Sequence, residues 1–132
     1  MDRVFLDANV LFSSAYSREN GLLELWSLKT ATLCTSRYAL EEARFNLELE
    51  SQKERLNALT QKLEIVDTAI EKLPRGIHLP EKDAPILLGA LQAKATHLLT
   101  GDAKHFGAYY GKSIAGVLIL RPADYLRKRA KE

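Results

Sequence analysis

An α/β domain with a mostly parallel central sheet is predicted by three features of this sequence. Short apolar runs alternate with longer segments of helical spacing, helix-starting signals stand between them, and no repeat or Gly/Ser linker interrupts the pattern. The runs are continuous rather than alternating, which suggests strands covered on both faces. Strands that alternate with helices imply right-handed βαβ units. The expectation is a three-layer α/β/α sandwich of about five strands, filling residues 1–132 as a single domain.

Val4–Leu6 is the first β-rich run and Thr32–Thr35 the second. Between them Asn20-Gly21 precedes Leu22, Leu23, Leu25, Trp26 and Leu28, read as helical. Ser36 is placed to cap a helix running from Arg37 towards Glu48. Ser51-Gln52-Lys53-Glu54 matches a capping box, followed by Leu56, Leu59 and Leu63 at helical spacing. A third strand is expected over Glu64–Asp67. Asp83-Ala84-Pro85 opens a helix that Ile86, Leu87, Ala90, Leu91 and Lys94 continue, since proline is tolerated in a first turn. His97–Thr100 and Val117–Leu120 complete the strands, the latter stopped by Arg121-Pro122. A final helix is expected over Ala123–Lys131.

Composition narrows the class. With 46% hydrophobic and 27% charged residues, the chain is globular and long enough to bury a core without staples. Cys34 is the only cysteine, which excludes an internal disulfide and fits a reducing compartment. The apolar run after Met1 is too short for a signal segment, and no stretch approaches a membrane span, so a soluble, cytoplasmic protein with no membrane partner is expected. A net charge of +2 permits nucleic-acid binding without demanding it. The basic cluster of Arg127, Lys128, Arg129 and Lys131 reads as a solvated helix end.

Four acids stand at telling places. Asp7 ends the first strand, Asp102 follows the fourth, Asp83 begins the helix before that strand, and Glu42 lies beside Glu41 in the helix after the second. In open parallel sheets ligands bind at the carboxyl ends of strands, where helix starts also point. Carboxylates converging there repel one another unless a cation neutralises them. Mg²⁺ or Mn²⁺ suits such oxygen ligands, and no His/Cys pattern of zinc spacing is present. Phosphodiester hydrolysis by metal-activated water is the chemistry these residues suit. Taken singly, each acid has a plainer reading. Asp7 suits an Asx turn, Asp83 a helix cap, Asp102 a Gly-Asp turn and Glu42 a solvated helix face. His105 reads as a loop residue, with substrate contact or proton transfer as its functional alternative, Cys34 as core and Trp26 as helix packing.

The stretch Val4-Phe5-Leu6-Asp7-Ala8-Asn9-Val10-Leu11 resembles the opening motif of PIN domains. Thr35-Ser36-Arg37-Tyr38-Ala39-Leu40-Glu41-Glu42 is similar to their second motif, Asp83 with Ile86–Ala90 to their third, and Leu99-Thr100-Gly101-Asp102-Ala103-Lys104-His105-Phe106 to their fourth. The resemblance spans Val4 to about Leu120. It implies a compact α/β/α nuclease that binds Mg²⁺ or Mn²⁺ through Asp7, Glu42, Asp83 and Asp102, with Asn9 and Thr100 as supporting polar residues. Spacing from Ser36 favours Glu42 over Glu41, whereas helical periodicity leaves the two undecided. The resemblance also implies RNA as substrate. Many members are VapC-like toxins neutralised by a small antitoxin, and many form homodimers, so an antitoxin and a second copy of the chain are candidate partners. Some relatives carry a further acid shortly after the fourth motif's Asp, where this chain has Lys104 and His105.

Two other classes compete. One is a non-catalytic RNA- or protein-binding module on the same fold. The other is a phosphatase of the haloacid dehalogenase type, to which Asp7-Ala8-Asn9 is superficially similar; that family wants a second Asp where Asn9 stands and an acid a few residues after Asp102.

Overall fold

The computed structural model describes residues 1–130; Lys131, expected in the last helix and its basic cluster, lies outside the described residues. Five parallel strands carry the sheet: β1 (Asp2–Leu6), β2 (Ala31–Ser36), β3 (Glu64–Val66), β4 (His97–Leu99) and β6 (Val117–Leu120). A sixth, β5 (Ser113–Ile114), pairs antiparallel with β6, giving the order β3-β2-β1-β4-β6-β5. The expectation of about five strands thus missed one element. Two residues give no periodicity to read, and β5 is made by a tight turn at Ala115-Gly116, both at positive φ, as two-residue hairpins require.

The chain runs from β1 outward through β2 to β3, then returns to place β4 on the other side of β1. The seam between β1 and β4 is therefore the topological switch point, where a crevice opens beyond the strand ends.

Helices flank this sheet as a three-layer α/β sandwich. They are α1 (Ala8–Tyr16), α2 (Arg37–Asn46), α3 (Glu50–Thr60), α4 (Ala84–Gln92), the single turn α5 (Ala103–Phe106) and α6 (Pro122–Ala130). Helix α1 packs against α2 and α3, and α4 packs on β2 and β4. The core is continuous across the layers, with Phe5, Leu6, Leu11, Leu25, Leu56, Leu87, Leu98, Phe106 and Ile119 fully buried. Cys34 lies within it. No helix among the described residues is long and apolar enough to cross a membrane.

Several boundaries differ from expectation. Helix α1 was not anticipated, although Val10, Leu11, Ser14 and Ala15 form a buried face at helical spacing. The Leu22–Leu28 segment is a 3₁₀ helix over Gly21–Ser27, capped by Asn20, whose Oδ1 accepts from Leu22 N at 3.1 Å. Helix α2 stops at Asn46, not near Glu48. The Ser51 capping box is not used: α3 begins at Glu50 with Leu49 in the cap position, two residues ahead of Ser51, and Gln52 Oε1 accepts the Leu49 N–H at 3.1 Å. Gln52 also donates to the Tyr16 carbonyl at 3.2 Å, so a tertiary tie to α1 sets that helix start. Leu63 falls beyond α3. Lys94 lies past the end of α4 at φ 55°, closing the helix rather than continuing it.

Gly89 brings α4 close to the sheet. A Cβ there would lie 2.9 Å from the Phe5 ring and 3.2 Å from Ser36 Cβ. Phe5 is fully buried and has no room to retreat. Gly89→Ala should therefore destabilise the protein by about 1–2 kcal/mol in urea unfolding, overpacking outweighing the better helix propensity of alanine. A stabilised variant would show that α4 can shift outward freely.

Candidate metal centre

The acids come together at the switch point because Asp7 and Asp102 follow β1 and β4 there, Asp83 opens α4, and Glu42 lies on α2 beside the same crevice. Asp7 leaves β1 and caps α1, its Oδ1 accepting from Ala8 N at 2.6 Å. Its other oxygen, Oδ2, accepts from Thr100 Oγ1 at 2.7 Å and from Asn9 Nδ2 at 3.1 Å. Asn9 reaches across to β4's end as well, its Oδ1 accepting from Gly101 N at 2.8 Å. The Thr100 hydroxyl in turn accepts from Asp102 N at 3.1 Å. The two supporting positions, Asn9 and Thr100, thus lash the Asp7 turn to the Asp102 turn across the β1–β4 seam.

Asp83 stands at the start of α4 but makes no side-chain cap bond to it. Its segment is held instead from α2, where the Tyr38 hydroxyl donates to the Lys82 carbonyl at 2.8 Å. Asp83 Oδ2 is buried without a hydrogen-bond partner, although it lies 3.0 Å from His105 Nδ1 as an ion-pair contact. Asp102 caps α5, its Oδ1 accepting from His105 N at 3.1 Å, while its Oδ2 lies 2.8 Å from His105 Nδ1. Glu42 projects from α2 into the same crevice, a cavity of about 650 Å³ lined by Asp7, Asn9, Glu42, Lys82, Asp83 and Asp102 among others. Glu41 does not line it; that residue is exposed on α2.

The electrostatics follow from this crowding. Burial pushes the Asp7 carboxyl up from 3.8 to about 6, with Glu42 and Asp83 adding to the rise and the Thr100 hydroxyl and Ala8 amide opposing it. Burial also raises Glu42, with Asp83 adding to the rise and Lys82 opposing it. Asp83 is raised by burial and by Asp102, against His105 and Lys82. The cavity thus holds more negative charge than its one lysine offsets. Hard oxygen donors under mutual repulsion fit a divalent cation.

This arrangement coincides with a sequence match. The PIN domain family model matches residues 3–104. The chain belongs to the PIN domain family. Solved PIN-fold structures agree in shape. VapBC2 from Rickettsia felis bound to a promoter DNA fragment is 20% identical, covers 90% of this chain and 98% of that one, and gives a TM-score of 0.66. VapBC-1 from nontypeable Haemophilus influenzae is 17% identical over 92% and 98%, with a TM-score of 0.58. FitAcB from Neisseria gonorrhoeae is 18% identical over 91% and 98%, with a TM-score of 0.55. No curated protein matches the chain in sequence.

Sequence reasoning missed His105. Expected as a loop residue, it lies in α5 with Nδ1 between two carboxylates of this PIN domain. Its spacing of three from Asp102, one helical turn, was the available signal. Among the described residues, Asp83, Asp102 and His105 are the one group of three or more His, Cys, Asp or Glu side chains whose ligand atoms all lie within 4.8 Å of one another. Asp7 and Glu42 line the cavity without joining that tight group.

Asp7 yields a measurable pH dependence. A carboxyl whose folded pKa is raised contributes most favourably when protonated, below about pH 4, and that contribution is lost as pH rises through about 6. The rise from 3.8 to about 6 corresponds to about 3 kcal/mol. In chelator-treated protein, Tm should fall more steeply between pH 4.5 and 7 for wild type than for Asp7→Asn. Parallel Tm profiles would refute a destabilising ionised Asp7.

Proposed function

We propose that this PIN domain is a Mg²⁺- or Mn²⁺-dependent endoribonuclease, and that it serves as the toxin of a toxin–antitoxin pair. The observation that carries the first part is the convergence of Asp7, Glu42, Asp83 and Asp102 on one cavity with too little positive charge to balance them. Those four acids are the candidate ligands. A bound divalent ion supplies Lewis-acid stabilisation of charge on a phosphoryl oxygen and lowers the pKa of a coordinated water.

The chain's own residues do the rest. Thr100 and Asn9 hold Asp7 in one orientation, so its carboxylate needs little reorganisation to receive a cation. Lys82, the basic residue on the cavity wall, is positioned to meet a phosphate oxygen arriving at the acids. A crevice of about 650 Å³ lined by these acids and Lys82 suits an unpaired or splayed strand of RNA, the form in which compact ribonucleases read their substrates. An antitoxin partner is supported by the VapBC and FitAB assemblies in which the similar folds occur. A second copy of this chain is the other candidate partner.

The test is cleavage of single-stranded and hairpin RNA with Mg²⁺, Mn²⁺ or chelator. Chelation should abolish cleavage. Asp7→Asn and Glu42→Gln should each lower kcat by about 10²-fold or more, the scale on which metal and electrostatic groups act. Glu41→Gln should leave activity within about 2-fold, because that side chain faces away from the cavity. Cleavage that survives both chelation and Asp7→Asn would overturn the reading. Metal binding with no cleavage across varied RNAs would indicate a binding module instead.

A further inference from the structure

The cavity extends beyond its acids. Phe12 and Ser13 from α1 and Asn46 from α2 also line it. On α1 these residues stand one turn past Ala8 and Asn9, and on α2 Asn46 stands one turn past Glu42, so the cavity continues from the acids into the groove between the two helices. The polar groups here differ from those that support Asp7. Asn9 spends both ends of its amide on the fold, donating to Asp7 and accepting from Gly101. Asn46 donates one N–H to the Glu42 carbonyl at 3.0 Å, and among the described residues no group donates to its Oδ1. Ser13 is exposed beside it. Phe12 is half-buried, packed on the core and lining the cavity. Tyr16, one turn further and 56% exposed, lies against it with ring centroids 5.4 Å apart.

From this arrangement we infer that Phe12, Ser13 and Asn46 form a nucleobase subsite, which takes the base of a nucleotide whose phosphate lies at the acids. The inference rests on the proposed ribonuclease activity and deepens it by assigning the part of the substrate that is recognised. Proteins bind unpaired bases by stacking them on aromatic rings and by hydrogen bonding to their edges. Phe12 supplies the ring. The free Asn46 oxygen, its second amide hydrogen and the Ser13 hydroxyl supply an acceptor and donors for the edge. One helical turn, about 5.4 Å, separates the level of Asn9 from that of Ser13. That rise is of the same order as the span from a phosphate across its ribose to the base. An apolar peptide side chain would cover Phe12 but leave the amide and hydroxyl unmatched, so the groove favours a base.

The experiment uses the full chain with Mg²⁺ and a short single-stranded RNA, together with a set of the same RNA carrying one abasic ribose at successive positions. At one position, loss of the base should raise KM about 10-fold or more and change kcat much less, since stacking on an aromatic ring contributes on that scale. Phe12→Leu should raise KM on intact RNA by a similar factor and add little on that abasic RNA, because base and ring act as one pair. Asn46→Ala should level the preference among the four bases at that position. Leucine keeps an apolar group against the core, and Asn46 is exposed, so a misfolded Phe12→Leu would still leave the Asn46→Ala result to decide. Fully additive losses, or an unchanged base preference in Asn46→Ala, would overturn the subsite while leaving the nuclease intact, and would leave the groove to a peptide segment. If no RNA is cleaved, the nuclease reading fails on its own. Fluorescence anisotropy of the same labelled RNAs with the same variants then decides the subsite by the same test of additivity.

Discussion

The Thr100 hydroxyl donates to Asp7 Oδ2 at 2.7 Å across the seam between β1 and β4, and the crevice depends on that bond and its neighbours. Asp7 is almost completely buried, and a charged carboxylate there is costly unless its lone pairs are met. Thr100, Asn9 and the Ala8 amide meet them. The same Thr100 and Asn9 also take the Asp102 and Gly101 amides. A network that satisfies one acid therefore also fixes the turn carrying the next. Removing either polar side chain would leave buried groups unpaired on both strands.

Satisfaction stops short of neutrality. Hydrogen bonds stabilise Asp7 as an anion, yet burial and the neighbouring acids still hold its pKa near 6. Asp83 spends no oxygen on capping α4, and its Oδ2 meets His105 Nδ1 at 3.0 Å while its carboxyl is raised by burial and by Asp102. Evenly satisfied acids would read as structural caps. Acids that are oriented by hydrogen bonds but left repelling one another are prepared for a cation. The stability lost in the metal-free protein is the physical counterpart of affinity for the ion, since a ligand that binds only the folded state restores what repulsion removes.

The parts of this fold legible in the sequence were those written in continuous apolar runs. The strands expected over Val4–Leu6, His97–Thr100 and Val117–Leu120 form at those places, the second ending at Leu99, because a buried parallel strand needs continuous hydrophobics. Ser36 as the cap of α2 followed from its own chemistry, its Oγ accepting from Ala39 N at 3.1 Å. What failed was set by contacts between distant residues. Gln52 bonds to Leu49 and Tyr16, which moved the start of α3 away from a locally sound Ser51 box. Ser and Ala on the buried face of α1 diluted its apolar stripe, so a helix beginning at Asp7 was not read. At the cavity, motif order brought out the four acids, and the structure assembles all four around one crevice. Motif spacing from Ser36 favoured Glu42 over Glu41 where helical periodicity left the two open, and the direction in which α2 faces puts Glu42 on the cavity wall.

His105 marks where reading by residue type runs out. The spacing of His105 from Asp102 hints at one contact but not at the other, because its two neighbours in space come from opposite sides of β4 in the chain. Asp83 precedes that strand by a whole helix, and Asp102 follows it. Only closure of the β1–β4 crevice brings both carboxylates to one ring nitrogen. The ring nitrogen lies 2.8 Å from Asp102 Oδ2 and 3.0 Å from Asp83 Oδ2, so it stands between two carboxylates that would otherwise face each other directly. With Lys82 on the cavity wall it is what this chain sets against the charge of its own acids, and the placement follows from the order of the strands and not from any local run of residues.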